Sequence, residues 1–204
     1  MNVYFDTEFT KLPGSREGYP GLISIGCVSS EGYTFYAELS DTWNEEVCSE
    51  FVIKNVLPLL QGGEFRMKES KLAVRLKDWV EHLTDEEVIF RSDAPGVDWP
   101  WVEQLFTFYG CWPKNLRRRC GTIYFDEETQ ADRYQEGLEK FWQEHSKRRH
   151  HALFDAKSLL FAWRFAIKTD YALIEFVEKR ELNAPIPKDM EAWELMVDVG
   201  KEKE

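Results

Sequence analysis

The chain predicts an α/β domain built on a mixed central sheet flanked by helices. Three observations point there. Apolar runs of strand length fill the first forty residues, helical periodicity follows them, and short apolar runs then alternate with helices as far as residue 167. Hydrophobic residues make up 43% of the 204 and aromatics 15%, enough for a substantial core and against disorder of the whole chain. No apolar run approaches the roughly 18 residues of a membrane span, and MNVYFDTEFT lacks the basic and apolar regions of a signal peptide. The chain reads as a cytoplasmic protein without a membrane partner, with a domain at 1–180 and a C-terminal extension at 181–204.

The strands come first. Asn2–Glu8 alternates, with Val3 and Phe5 on one side and Tyr4, Asp6 and Glu8 on the other. Leu22–Ser29 and Tyr33–Leu39 are apolar runs joined by Ser30-Glu31-Gly32, which predicts a hairpin. Lys11–Gly21, rich in glycine and proline, is a loop. Helical spacing is expected over Glu46–Leu60, interrupted late by Pro58. It is clearer over Lys68–Leu83, where Leu72, Leu76, Trp79, Val80 and Leu83 fill one face. Val88–Phe90 predicts a short strand ending in Arg91-Ser92-Asp93. Asp98–Tyr109 predicts the next helix, with Pro100 placed in its first turn because an interior proline removes a hydrogen bond. A strand at Thr122–Phe125, a polar helix at Glu127–His145 and an apolar helix at Ala152–Ile167 complete the domain. The two prolines of Asn183–Pro187 break the C-terminal segment.

Charge and cysteine content narrow the function. The net charge is -11, which excludes a histone-like binder held by counterion release alone. The acid is concentrated in residues 1–100. Residues 101–170 are slightly basic and carry Arg117-Arg118-Arg119 and Lys147-Arg148-Arg149. Carboxylates that hold divalent cations would reverse the local field, so an acidic enzyme of nucleic acid stays open. The four cysteines form no CxxC pair, which argues against a zinc ribbon or disulfide scaffold. Neither GxGxxG nor GxxxxGK[ST] occurs, so nucleotide-cofactor folds lose weight.

Three acidic segments remain. Asp6 and Glu8 lie two apart on a strand and leave the same face, where they repel unless a cation or proton sits between them. Asp93 and Asp98 flank a strand-to-helix junction, a place where a carboxylate also complements the helix dipole. Asp155 lies in an otherwise apolar helix, and a carboxylate there is costly without a charged partner.

In order, these segments resemble the motifs of the DEDDh 3′–5′ exonucleases, which have a ribonuclease H-like fold. FDTEFT matches the first motif with Asp6 and Glu8, SDAPGVDW the second with Asp98, and HHALFDA the third with His150 and Asp155. Aligning Ala152, Asp155 and Ala156 puts His151 in the variable position. The resemblance spans residues 1–168, and FDTEF with LISIG further resembles a bacterial exoribonuclease branch with a mycobacterial polyadenylate-directed member. It departs from the pattern at Phe9-Thr10-Lys11, where D-x-E-T-T-G usually continues, and at Asp93, where asparagine is common. The resemblance implies that Asp6, Glu8, Asp98 and Asp155 hold two divalent cations, Mg2+ or Mn2+. His150 would be the general base, Phe9 and Thr10 would lie against the terminal nucleotide, and Arg148 and Arg149 would meet phosphate. It implies single-stranded nucleic acid as partner, RNA favoured over DNA, and leaves a homodimer open. The rival readings are a DNA-directed exonuclease with the same chemistry, a catalytically silent binding module, and an acidic α/β protein whose carboxylates are surface groups.

Overall fold

A computed structural model describes residues 1–14 and 18–167. Among the described residues the fold is α/β, a six-stranded mixed sheet flanked by five helices, consistent with the ribonuclease H-like architecture that the motifs imply. The strands are β1 (Asn2–Phe9), β2 (Leu22–Ser29), β3 (Thr34–Leu39), β4 (Arg66–Met67), β5 (Ile89–Ser92) and β6 (Gly121–Thr122). The helices are α1 (Glu50–Asn55), α2 (Glu69–Leu83), α3 (Pro95–Phe108), α4 (Glu128–His145) and α5 (Ala152–Ile167). Strand order is β4-β3-β2-β1-β5-β6; β2 runs antiparallel to both β1 and β3, and the other pairs are parallel.

The hairpin between β2 and β3 closes where expected. Gly32 takes a φ of 95°, a left-handed conformation that glycine adopts without a Cβ penalty. Ser29 Oγ accepts the amides of Glu31 and Tyr33 across the turn. Alternation along β1 divides the core into two layers. Val3 and Phe5 point to the layer of α2 and α3, where Phe5, Phe90 and Trp99 meet at ring distances of 5.2–6.4 Å. Tyr4 points to the other layer and packs with Val28, Ala156, Leu159 and Leu160. The stripe Leu72, Ala73, Leu76, Trp79 and Val80 buries one face of α2.

Two glycines let helices approach more closely than any side chain would permit. Gly26 on β2 sits beneath the first turn of α5, and a Cβ there would lie 2.2 Å from the Leu153 amide nitrogen. Gly137 on α4 does the same against α5, 2.8 Å from the Ala162 Cα.

Several boundaries differ from the sequence expectation. Glu46–Leu60 is not one helix. A 3-10 turn at Glu45–Val47, the short α1 capped by Ser49, and a second 3-10 turn at Leu57–Leu59 replace it, because Ser49 and Pro58 both restart the backbone. The strand expected at Thr122–Phe125 pairs only through Gly121–Thr122; Ile123 and Phe125 pack against α4 and α5 instead. β4, only two residues long, carried no legible pattern. α3 begins at Pro95, so Pro100 falls in its second turn; Pro100 and Gly96 are both exposed, where water can satisfy the carbonyl left without a partner. The expected extension 181–204 lies outside the described residues. No helix among the described residues is long and apolar enough to cross a membrane.

Gly26→Ala should destabilise the protein by about 3 kcal/mol, because the new methyl meets backbone that cannot yield. A drop in Tm of roughly 6–12 °C by scanning calorimetry would correspond to that cost.

Candidate metal centre

β1 pairs with β5 only through Asn2, Val3 and Tyr4. Beyond Tyr4 the two parallel strands separate, and their carboxyl ends open a crevice of the kind that holds ligands in α/β sheets. Asp6 and Glu8 enter it from β1. Asp155 arrives from the opposite side, carried by the first turn of α5. Gly26 allows that turn onto the sheet directly beside Asp6, its partner in the register of β1 and β2. Ligand oxygens of Asp6, Glu8 and Asp155 lie within 4.8 Å of one another.

A second triad shares Asp6. Its other members, Asp93 and Asp98, stand at the end of β5 and in the first turn of α3, again with oxygens within 4.8 Å. Asp98 is 2% exposed and held from behind. Thr7 Oγ1 donates to its Oδ1 at 2.7 Å, and Ser92 Oγ donates to its Oδ2. Asp93 by contrast is exposed and lines the crevice. By its motif Asp93 is a departure from the family pattern; in the fold it is a fifth carboxylate of the cluster. Its place before a strand-to-helix junction was the available signal, but nothing local said that its side chain would meet Asp6. Thr7 and Ser92 were likewise invisible as supports, since a hydroxyl beside a carboxylate in space has no sequence spacing.

Gathering five acids has an electrostatic cost. Burial first, then the negative charges of Glu8, Asp155, Asp98 and Asp93, push the Asp6 carboxyl well above the usual range. Burial and then Asp155 and Asp98 raise Glu8 to about 8. Burial raises Asp155 to about 7, against the nearby backbone of His150 and the Arg149 charge, which favour its ionised form. Its Oδ2 is buried and meets no donor among the described residues. Both triads offer oxygen donors alone, a set that fits Mg2+ or Mn2+ better than zinc. An oxygen left without a donor and carboxyls that resist ionisation are what a divalent cation would relieve.

The histidines separate clearly. His150 has a φ of 72°, the one positive value at a non-glycine among the described residues, at the corner between the 3-10 turn Ser146–Arg148 and α5. Its half-buried ring meets Phe51 edge-on at 4.9 Å. Burial, then Arg149, lowers its pKa, which keeps the imidazole neutral near pH 7. His151 is 2% exposed, stacks on Tyr36 at 4.4 Å, and its Nε2 lies 2.9 Å from the Gln61 side-chain nitrogen. Burial lowers it to about 4. It braces the corner from inside.

The residues expected to meet substrate divide as well. Arg149 lines the crevice with Asp6 and Asp155, its guanidinium 5.9 Å from the Trp142 ring centroid. Arg148 lies over Phe154. Phe9 is half-buried and stacked on Trp101 at 6.1 Å. Thr10, expected beside Phe9 against the terminal nucleotide, is held within the fold. It has no exposed surface, its amide donates to Gly21, its Oγ1 accepts the Gly21 amide, and its carbonyl accepts from Ser49. Thr10 fastens the loop after β1.

No protein-family model matches the chain, and no curated protein matches it significantly.

Between the ordinary carboxylate range and the raised values, the folded metal-free protein holds protons that the unfolded chain has released. Its stability should therefore fall as pH rises from about 5 to 8, by roughly 2 kcal/mol or 4–8 °C in Tm. Millimolar Mg2+ should flatten that slope. Asp6→Asn, which removes the acid common to both triads, should reduce it in part without metal, because burial still raises Glu8 and Asp155. A metal-free Tm that is level across this range would mean that the five acids do not repel as described.

Proposed function

We propose that this chain is a metal-dependent 3′–5′ exonuclease acting on single-stranded nucleic acid, RNA ahead of DNA, and releasing nucleoside 5′-monophosphates. The observation that carries the reading is the pair of carboxylate triads sharing Asp6, with a neutral histidine at the corner that leads into the helix bearing Asp155. The direction of attack rests on the resemblance of FDTEFT, SDAPGVDW and HHALFDA to the exonuclease motifs, and the preference for RNA on the further resemblance of FDTEF with LISIG to an exoribonuclease branch.

In this reading Asp6, Glu8 and Asp155 hold one divalent cation, and Asp6 with Asp93 and Asp98 a second. Bound cations of this kind supply an activated water and neutralise charge on a phosphodiester. The chain's own groups do the rest. Asp98 is fixed by Thr7 and Ser92, so its carboxylate is oriented before any ligand arrives. His150 is neutral at working pH and accepts the proton of the attacking water. The left-handed backbone at His150 sets the direction of that ring as the chain enters α5, which carries Asp155.

End-labelled RNA and DNA oligomers of matched sequence, incubated with Mg2+, Mn2+ or EDTA, test the proposal. A ladder shortening from the 3′ end of RNA is expected, absent with EDTA. Asp6→Asn should reduce its rate roughly 10³-fold or more, and Ser92→Ala, which frees one oxygen of Asp98, roughly 10- to 100-fold. Faster loss of DNA would shift the substrate. No degradation of either by the wild type would remove the proposal.

A further inference from the structure

The crevice that holds Asp6, Asp93 and Asp155 extends along α4. Its volume is about 570 Å³, within the range of clefts that hold organic ligands. Gln135, Leu138, Glu139, Trp142 and Gln143 line it, spaced i, i+3, i+4, i+7 and i+8, so one continuous stripe of α4 forms its wall. The neighbouring stripe, Tyr134, Gly137 and Phe141, is buried. α4 therefore presents a wall to the crevice because Gly137 seats it tightly on α5.

That wall is not built like a core surface. Gln135, Glu139 and Gln143 are exposed, and Trp142 is half-buried. Arg149 is the one cation among the described lining residues, and its guanidinium lies over the Trp142 ring. Aromatic faces and guanidinium planes both stack on unpaired bases, and neither requires a particular base. The carboxamides offer both donors and acceptors. Glu139 would repel a phosphate and suits a hydroxyl donor, which places sugar rather than phosphate along it. Phe9, stacked on Trp101, follows Glu8 at the carboxyl end of β1, the same end toward which the parallel β5 carries Asp93.

We infer that the α4 wall is a binding subsite for single-stranded nucleic acid: Trp142 is the platform for the nucleobase adjoining the carboxylates, and Arg149 contacts its phosphate. This deepens the exonuclease reading and rests on it for the nature of the ligand.

The test separates the subsite from the chemistry. Binding of a fluorescent ten-nucleotide single-stranded RNA to the full chain is measured in Ca2+, and hydrolysis of a chromogenic nucleoside 5′-(p-nitrophenyl) phosphodiester is measured separately in Mg2+. Trp142→Ala should weaken RNA binding roughly 5- to 100-fold, Trp142→Phe should restore most of it, and Arg149→Gln should weaken it and reduce its salt dependence. Glu136→Gln, on the exposed side of α4, is the control. Magnesium-dependent thermal stabilisation reports whether each variant is folded with its carboxylates in place. If Trp142→Ala does not fold, Arg149→Gln and Gln143→Ala carry the comparison. RNA affinity unchanged in the folded variants, while the wild type hydrolyses the ester, overturns the subsite and leaves the exonuclease reading standing. Loss of RNA affinity in the variants without ester hydrolysis by the wild type supports the subsite and sinks the catalytic reading. No RNA binding by the wild type overturns the subsite.

Discussion

The contact between the first turn of α5 and β2 at Gly26 is the constraint on which the rest depends. A helix normally rests on a sheet through a layer of side chains, and that layer would hold Asp155 away from Asp6. With no Cβ at Gly26, backbone meets backbone, and the acid on the helix reaches the acid on the strand. The same approach puts the 146–151 corner against the sheet, where Tyr36 and Gln61 receive His151. Gly137 repeats the arrangement one layer out and brings α4 to the crevice. The close packing of two glycine-bearing elements on α5 thus builds both the carboxylate cluster and the wall beside it.

The acids are supported to different degrees, and the difference is physical. Asp98 has hydroxyl donors on both oxygens, so its position is set by the protein. Asp155 is half-satisfied, with the backbone of His150 nearby and Oδ2 without a donor. Asp6 stands between four other carboxylates, each of which raises its pKa. A cluster graded in this way keeps its shape without a cation and gains most from one at Asp6, where repulsion is greatest. Folding bears that repulsion because the surrounding core is large and apolar, from the Phe5–Phe90–Trp99 group on one layer to Tyr4 and Leu160 on the other.

Phe9, next to Glu8 on β1, and Trp142 on α4 offer aromatic surface of similar character. Each ring already has a partner within the protein, Trp101 for one and Arg149 for the other. Such pairs hold a ring in one orientation and leave part of its surface exposed, which lowers the entropy lost when a planar ligand stacks. The overall charge of -11 is no obstacle to an anionic ligand once cations occupy the acids, because the field close to the site is then set by the cations, Arg149 and the basic residues beside it.

Residue pattern alone determined the order of the longer elements, the alternation that puts Asp6 and Glu8 on one face, and the anomaly of Asp155 in an apolar helix. These are local properties: period, spacing and the cost of a charge among hydrophobic neighbours. The two-residue strand β4, the division of Glu46–Leu60 and the short pairing at Gly121–Thr122 were decided by tertiary contacts, because a segment this short adopts whatever its neighbours leave open. So were the roles of particular residues. Asp93 and Asp98 are both acids near one junction, and only the separation of β1 from β5 leaves the first open to the crevice and the second locked behind it. Thr10 follows a motif expected to touch a ligand, yet the loop it anchors encloses it completely. Gly26 reads in sequence as one weak position in a strand. Which atom occupies the space above it is a fact about a helix more than a hundred residues away, and only the folded chain contains it.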